Sequence, residues 1–466
     1  MNMKWSMRIS LVASSLLVFA LLTACGGGRS ALPPFPPAPN GVSGAAVYAY
    51  IAQSANVWAM GAPGTARPNS AISIHTGGKD FVAEARSDGS LCYELPEGIV
   101  PPVEIGFTLP TGEPRSLIAA VFDAESHLQR DCFTTGQAPN DMMLAQGRFY
   151  IANAMDNNVS ILDADSLEPR GTLALPEYAS PSYLFVRGDI GFVTCNGNNI
   201  LVAFSPNDGG ELWTLQLPAE GVAFLGPGKP YASDSFVFIP LANIESFGNP
   251  SAYRRAEVVV VDITTHEIEK RIALAGEDAL EVTPLYSGQL VVVEAGNISF
   301  DENWRPYTTT PSHLEVIDEL TLEVVRTVDL GVIGAANPLV DATLQRVYLA
   351  SLLDGNLYTV STGNWTVERG ETDPVVVGAE TSFLSDLILI DHTVVAASFN
   401  EDRVYAVSAE DYSTAAWPLP EPLEVGTAGG EGFLAGPQTL VWDGAAHALY
   451  FLQGLANRVG RFEAPH

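Results

Sequence analysis

The sequence predicts an all-β protein. Short runs rich in β-branched and aromatic residues recur along the 466 residues, and turn residues separate them. The segment from Arg148 to Leu175 contains three such runs with Asn and Asp between them, and comparable units follow toward the C terminus. One unit is too small to bury both faces of its sheet, so neighbouring units must cover it. These observations predict a repeat architecture of small antiparallel sheets.

Residues 1–24 have the features of an export signal. Basic residues precede an apolar run from Ile9 to Leu22, which is shorter than a typical membrane span. The tetrapeptide Leu22-Thr23-Ala24-Cys25 resembles a bacterial lipobox. The resemblance implies a lipoprotein cleaved before Cys25 and anchored there by fatty acyl chains such as palmitate, which suffice without a transmembrane helix. Enteric lipoproteins of the inner membrane carry Asp at the position after the Cys, so Gly26 favours the outer membrane. The alternative to a lipoprotein signal is a plain signal peptide that is not followed by lipidation.

Residues 25–40 are rich in Gly and then in Pro, which predicts an exposed tether behind the lipidated Cys25. Residues 41–124 contain β-type runs between Gly- and Pro-containing turns, which predicts a small β-sandwich domain. The run Ala71–His75, the Asp88-Gly89 turn and the returning run from Leu91 resemble bacterial Ig-like and carboxypeptidase-regulatory modules. The resemblance implies a spacer or adhesion role for this domain.

The chain has four cysteines. Cys92 and Cys132 flank the second half of the predicted sandwich, and an exported chain permits a disulfide between them. Such a bridge would contribute about 3–4 kcal/mol in the chain-entropy model, provided that the two Cα atoms approach within about 7 Å. Cys195 lies in a predicted strand and is expected to be a buried, small apolar residue.

Residues 125–466 predict a β-propeller of seven blades. Each unit contains a second strand, a third strand ending in a polar residue, an outer strand and a weaker inner strand, and this order is one four-stranded blade. The predicted third strands are 159–163, 200–205, 257–262, 313–318, 355–361, 402–408 and 457–463.

Two features refine this prediction. Tyr150-Ile151-Ala152-Asn153 followed by Val159–Asp163 resembles a YVTN-type propeller repeat, and Val258–Asp262 and Leu314–Asp318 resemble its second half, although later units lack the first half. The chain also ends too early for the seventh unit to have its own outer strand. An unpaired sheet edge is a liability. We therefore expect a strand from about 127–135 to complete the last blade and close the ring.

Charge and motifs restrict the function. With 54 acidic and 23 basic residues, the chain has a formal charge of −31, and nucleic acid is not an expected partner because phosphate binding needs basic patches. The seven histidines are scattered, and no HExxH or GxSxG motif occurs. We therefore predict no catalytic residue and no cofactor, and the sequence leaves a metal site undetermined.

Binding is the favoured function. Two long loops, 242–256 and 296–312, connect second to third strands in neighbouring units and should lie side by side on one face. They concentrate residue types that dominate binding hot spots. These candidates are Tyr253, Arg254, Arg255, Trp304, Arg305 and Tyr307. They favour non-catalytic binding or scaffolding of a protein, peptide or glycan, with arginines available for carboxylates.

Two alternatives stay open at this point. The aromatic residues of the loops could instead pack the loops down, while the arginines neutralise local acid. The protein could also be a propeller hydrolase or lactonase with an acidic metal site at the mouth of the central channel. The carboxylates nearest to predicted inner-strand starts are Asp141, Glu220, Glu281 and Asp386.

Overall fold

The computed structural model describes residues 47–51, 57–61, 66–76, 78–86, 89–95, 103–122, 131–164, 169–219, 221–286, 288–301, 305–380, 382–415, 418–419, 423–424 and 435–464. The predicted signal, Cys25 and the tether lie outside these residues, as do Glu220 and Trp304. In the described ranges, no helix is both long and apolar enough to cross a membrane.

The first domain is one seven-stranded sheet. Its strands are β1 (Val47–Ile51), β2 (Val57–Gly61), β3 (Ala71–Thr76), β4 (Lys79–Glu84), β5 (Leu91–Leu95), β6 (Val103–Thr108) and β7 (Pro114–Phe122). They are ordered β4-β3-β6-β7-β1-β2-β5, with β1 and β7 parallel. The edge strands β4 and β5 come into contact, so the sheet curls around its own core, which includes Ile72, Ile74 and Phe107.

This sheet differs from the expected sandwich in two respects. Hydrogen bonds run through all seven strands because β1 and β7 pair, whereas we expected two separate layers. In addition, β2 was not predicted, because Val57-Trp58-Ala59-Met60-Gly61 lacks the polar alternation of a half-buried strand. The likeness to Ig-like or carboxypeptidase-regulatory modules stays a prediction.

Seven sheets of four or five strands, numbered 1 to 7 in chain order, and two short two-stranded hairpins make up the strands of the described part of residues 131–464. Their inner strands are β9 (Pro139–Ala145), β13 (Pro181–Arg187), β17 (Tyr231–Ala232), β23 (Ala279–Pro284), β29 (Ala335–Asp341), β34 (Leu384–Ile390) and β38 (Pro437–Asp443). Their second strands are β10 (Arg148–Asn153), β14 (Ile190–Cys195), β18 (Phe236–Leu241), β24 (Gln289–Glu294), β30 (Arg346–Ser351), β35 (Thr393–Ser398) and β39 (Ala448–Gln453).

The third and outer strands complete each sheet. The third strands are β11 (Asn158–Asp163), β15 (Ile200–Phe204), β21 (Glu257–Asp262), β27 (Ser312–Asp318), β31 (Asn356–Ser361), β36 (Arg403–Ser408) and β40 (Arg458–Glu463). The outer strands are β12 (Pro169–Ala174), β16 (Glu211–Gln216), β22 (Ile268–Ala273), β28 (Glu323–Gly331), β32 (Val367–Arg369) with β33 (Val375–Val376), β37 (Leu423–Glu424) and β8 (Asp131–Thr134).

The seven sheets form a closed circuit. Each inner strand contacts the inner strand of the next sheet, and β38 contacts β9. Among the described residues, a buried apolar cluster lies between every pair of neighbouring sheets, including sheets 7 and 1. The seven sheets therefore pack around a central axis, and the apolar clusters between them form a closed ring.

The two faces of each strand pack against different neighbours. In β10, Phe149 and Ile151 face sheet 7, whereas Tyr150 and Ala152 face sheet 2, because successive side chains of a strand point to opposite faces. All four are fully buried. Because both faces of the second and third strands are buried in this way, their sequences are almost continuously apolar.

Sheet 7 obtains its outer strand from the start of the domain. β8 lies inside the segment 127–135 and pairs antiparallel with β40, with Phe133 opposite Val459 and Cys132 opposite Gly460. The two ends of the domain therefore meet in one sheet. Residues 458–461 of β40 are therefore paired on this edge.

Candidate functional site

Most inner strands begin with the same irregularity. In sheets 1, 2, 4, 6 and 7 the pairing between the inner and second strands shifts by one residue near the start of the inner strand. Such a β-bulge re-aims a side chain. The residues that follow the bulge are Asp141, Tyr183, Glu281, Asp386 and Thr439, and all of them line one cavity on the central axis.

The cavity has a volume of about 100 Å³ and two chemically different walls. The residues after the bulges, together with Lys229 and Asp278, form a polar wall. Phe300, Phe383 and Phe399, with Ile298 and Leu352, form an apolar wall. These apolar residues adjoin the loops between second and third strands or the starts of inner strands, so the cavity lies at the channel mouth on the face where those loops emerge.

Lys229 is the cation that lines this cavity. Its Nζ lies 3.4 Å from Glu281 Oε1, and its side chain is 31% exposed toward the cavity that it lines. Burial lowers the pKa of the Lys229 ammonium, but the charges of Glu281, Asp141 and Asp386 outweigh burial and raise this pKa above its ordinary value. Lys229 is therefore protonated at neutral pH.

Asp141 and Asp386 link neighbouring sheets. The Leu184 amide donates to Asp141 Oδ2 at 2.9 Å. The Leu440 amide donates to Asp386 Oδ2 at 2.7 Å in the equivalent arrangement. Burial raises the pKa of Asp141, and it raises the pKa of Asp386 to about 7. Because backbone amides of the next sheet hold both carboxylates, both contribute to the contact between sheets.

Three of the four carboxylates singled out in the sequence thus meet at one cavity, and Glu220 lies outside the described residues. Throughout the part of the chain that is described, no group of three or more His, Cys, Asp or Glu side chains is arranged to hold a metal ion. The ammonium group of Lys229 supplies positive charge among the carboxylates.

The two long loops form a second candidate site. Each contains a short hairpin: β19 (Ile244–Ser246) with β20 (Ala252–Tyr253), and β25 (Ser299–Phe300) with β26 (Pro306–Tyr307). We call this pair the double hairpin. Among the described residues of the two loops, three hydrogen bonds join the hairpins: Tyr253 Oη to the Ile298 carbonyl at 2.9 Å, the Ser251 amide to Ser299 Oγ at 2.9 Å, and Tyr307 Oη to Asn249 Oδ1.

The predicted binding residues separate into two groups. Tyr253 is 8% exposed and packs with Phe224, Ile244 and Phe247, so its ring holds the hairpin down and does not lie on the surface. The side chain of Tyr307 is partly buried. The position of Trp304 lies outside the described residues.

The arginines of the double hairpin are on the surface. Arg254 is 46% exposed, pairs with Glu245 at 3.1 Å and donates to the Gly221 carbonyl at 2.8 Å. Arg255 and Arg305 are also exposed. A basic surface therefore lies beside the channel mouth of a strongly acidic chain.

Three of the four cysteines lie in described strands: Cys92 in β5, Cys132 in β8 and Cys195 in β14. The strands that carry Cys92 and Cys132, β5 and β8, are in contact. Both side chains lie outside the described part of the structure, so the disulfide stays a prediction. Cys195 is fully buried between sheets 1 and 2, and burial raises the pKa of its thiol.

Three of the lining residues were not predicted from the sequence: Lys229, Asp278 and Tyr183. Lys229 follows Gly226-Pro227-Gly228, a turn signal that precedes the shortest inner strand. Nothing local separates Asp278 from the many solvated acids of this chain. The place of Asp278 in the cavity lining follows only from the closed ring, which brings it beside residues of other sheets.

Comparison with known proteins identifies the fold. No family model matches the sequence, and no curated protein matches it. Solved structures that resemble this chain include BamB from Moraxella catarrhalis, with 13% identity over 78% of this chain and 90% of that chain and a TM-score of 0.45. Kuenenia stuttgartiensis hydrazine synthase matches with 11% identity over 70% of this chain and 96% of that chain, with a TM-score of 0.51. The Myceliophteria thermophila Cps50 (Swd1) β-propeller domain matches with 12% identity over 72% of this chain and all of that domain (100%), with a TM-score of 0.50. At these identities the likeness concerns the fold alone, and the match to the Swd1 β-propeller domain confirms the predicted β-propeller.

Proposed function

We propose that this protein is a lipid-anchored lipoprotein of the bacterial envelope, and that its seven sheets are the blades of a YVTN-type propeller. Its task is non-catalytic binding or scaffolding, with the double hairpin as the surface that receives a protein, peptide or glycan partner. Acidic groups of the partner are the chemistry that fits, because guanidinium groups bind carboxylates in a bidentate geometry.

The observation that carries this proposal is the fixed geometry of the double hairpin. Hydrogen bonds join the two hairpins, and the buried Tyr253 anchors one of them. A surface that is ordered before binding loses little conformational entropy when a partner docks. The exposed arginines lie on this ordered base, whereas the protein as a whole is acidic.

The channel-mouth cavity supports binding over hydrolysis. Backbone amides engage Asp141 and Asp386, and Glu281 pairs with Lys229. The Lys229 ammonium thus already places positive charge beside Glu281, and the described residues offer no group of three metal ligands.

A double substitution tests the surface. Arg255→Ala with Arg305→Ala should abolish photo-crosslinking from the double hairpin to its partner in intact envelopes, while the thermal unfolding midpoint stays unchanged. Arg170→Ala is the matched control, because Arg170 is 50% exposed on the outer strand of sheet 1, away from the hairpins. Equal crosslinking by the double variant and the control would refute the proposed surface.

The anchor is tested separately. Cys25→Ser should eliminate the incorporation of labelled palmitate and move the protein from the membrane fraction to the soluble fraction. In cells with two membranes, density-gradient separation of the wild-type protein should place it with the outer membrane. Retention of the label in the variant would refute lipidation at Cys25.

A further inference from the structure

We infer that the cavity at the channel mouth binds a small organic cation with a primary ammonium group, and that the carboxyl group of Asp278 receives this ammonium. The site lies next to the arginines of the double hairpin, and Phe300 of β25 lines it. It adds a small ligand to the proposed function.

The backbone conformation and backbone hydrogen bond of Asp278 do not require a carboxyl side chain. Asp278 precedes β23 in the left-handed conformation, with φ 60°, and its carbonyl accepts the Ala295 amide at 3.0 Å. The equivalent residues of other sheets make the same bond in the same conformation. They are Ala138, Ser180, Gly226, Gly334 and Gly436, with φ between 49° and 65°. Small residues thus satisfy this position elsewhere, although Asp tolerates the conformation better than most residues.

The Asp278 side chain lacks the partners that the other cavity carboxylates have. It is 2% exposed and lines the cavity, yet no hydrogen-bond donor in the described structure reaches Oδ1. Leaving a buried carboxyl group without a donor is costly. By contrast, backbone amides donate to Asp141 and Asp386, and Lys229 lies beside Glu281. A ligand with N–H donors would satisfy the orphaned oxygen.

The charge of the cavity selects a cation. Asp141, Asp278, Glu281 and Asp386 line it together with a single basic residue, Lys229. Burial, reinforced by the charge of Glu277, raises the pKa of Asp278 well above its ordinary value. A bound cation would reverse this effect, because it favours the ionised carboxylate.

The apolar wall selects an organic cation. The rings of Phe300, Phe383 and Phe399 line the same cavity, and aromatic faces attract ammonium groups and cover alkyl carbons. The volume of about 100 Å³ limits the ligand to a few heavy atoms. A metal ion fits less well, since the described residues contain no group of three ligands for it.

Ethylammonium chloride is a suitable probe for the full mature protein. We expect a saturable rise in the thermal unfolding midpoint, beyond that with sodium chloride at equal ionic strength, and none with ethanol. Saturation transfer from the phenylalanine ring protons to the ethyl group should be observed by NMR. Equal responses to ethylammonium and sodium would overturn the inference.

Two substitutions assign the effect to Asp278. Asp278→Asn should weaken ethylammonium binding at least tenfold while the protein stays folded, because an amide cannot ionise to pair with the ammonium. Asp278→Gly, which reproduces the residue type of three equivalent positions, should do the same. Undiminished ethylammonium affinity in the folded Asp278→Gly protein would overturn the assignment.

Two controls should bind ethylammonium like the wild type. Glu267→Gln removes one exposed carboxylate from the turn between β21 and β22, at the opposite end of sheet 3. The Arg255→Ala, Arg305→Ala protein changes two exposed arginines that do not line the cavity. If Glu267→Gln weakened binding as much as Asp278→Asn, the effect would be one of net charge, and the inference would be overturned.

Discussion

Two strand glycines make room for buried aromatic rings. A Cβ atom on Gly191 would lie 2.3 Å from the ring of Phe204, and one on Gly460 would lie 2.1 Å from the ring of Phe451. In each case the ring and the glycine are cross-strand neighbours, and the ring is fully buried. These glycines are therefore required by packing and not by backbone conformation.

Gly460→Ala should destabilise the protein by about 1–3 kcal/mol, because the Phe451 ring has no free space to move into. Urea unfolding measures the change. Gly363→Ala is the control, since its nearest contact would be 3.4 Å away, and it should cost less than about 0.5 kcal/mol. Equal stability of the two variants would contradict this interpretation of Gly460.

Glu294 is a buried acid whose ionisation opposes folding. It is fully buried in β24, and the Gly276 amide donates to its Oε2. Burial, followed by the charge of the neighbouring Glu315, raises the pKa of Glu294 from 4.5 to about 8. The folded state therefore holds a proton that the unfolded chain releases over this range.

The contribution of Glu294 to the free energy of unfolding should therefore be largest below pH 4.5 and fall as the pH rises to about 8. Glu294→Gln removes this dependence, so the stability gained by the variant relative to wild type should grow across the same interval. Urea unfolding at a series of pH values measures the difference. A constant difference between the two proteins would contradict the raised pKa.

At the scale of elements, the ring depends on a strand from outside the repeated order. β8 supplies the fourth strand of sheet 7, and its pairing covers residues 458–461 of β40. The apolar clusters between sheets 6 and 7 and between sheets 7 and 1 then complete the ring of buried clusters. The strand therefore connects the start of the propeller to its end without a covalent link.

A chain that begins at residue 136 should be less stable and more prone to self-association than one that begins at residue 125. The shorter chain lacks β8, so β40 becomes an exposed edge that can pair with another molecule. Thermal unfolding and light scattering after size-exclusion chromatography measure both effects. Equal behaviour of the two chains would show that β8 is dispensable for closure.

At the scale of the whole molecule, acidic charge opposes compaction. The formal charge of −31 is distributed over a chain in which many carboxylates are exposed, so their mutual repulsion disfavours the folded state. Among the described residues, several ion pairs such as Arg271 with Glu257 relieve this repulsion only locally.

The thermal unfolding midpoint should therefore rise as ionic strength increases from about 0.01 M to about 0.15 M, because the Debye length falls from about 30 Å to about 8 Å. Sodium and potassium chloride should act alike if the effect is screening. A midpoint that falls with added salt would show that attractive pairs outweigh the repulsion.

Much of this architecture was accessible from the sequence because it depends on local patterns. The apolar runs of β10 and β11 and the turns between them are encoded within a few residues, and the need for neighbours follows from the small size of one unit. The strand that completes sheet 7 was expected because an unpaired edge on the last unit would be a liability. The strand β2 was missed, since its pairing with β1 and β5 and not its own pattern makes it a strand.

The sequence alone determined the all-β class, the strand runs, the expected ring and the presence of two long loops rich in arginine. Only the tertiary structure decided that Tyr253 is buried, that Lys229 lies among carboxylates and that Asp278 has an orphaned oxygen. Propensity and turn chemistry act between residues close in the chain, whereas the cavity joins groups from many sheets. Asp141 and Thr439, for example, are 298 positions apart and 3.4 Å from one another. Their meeting depends on closure of the whole ring.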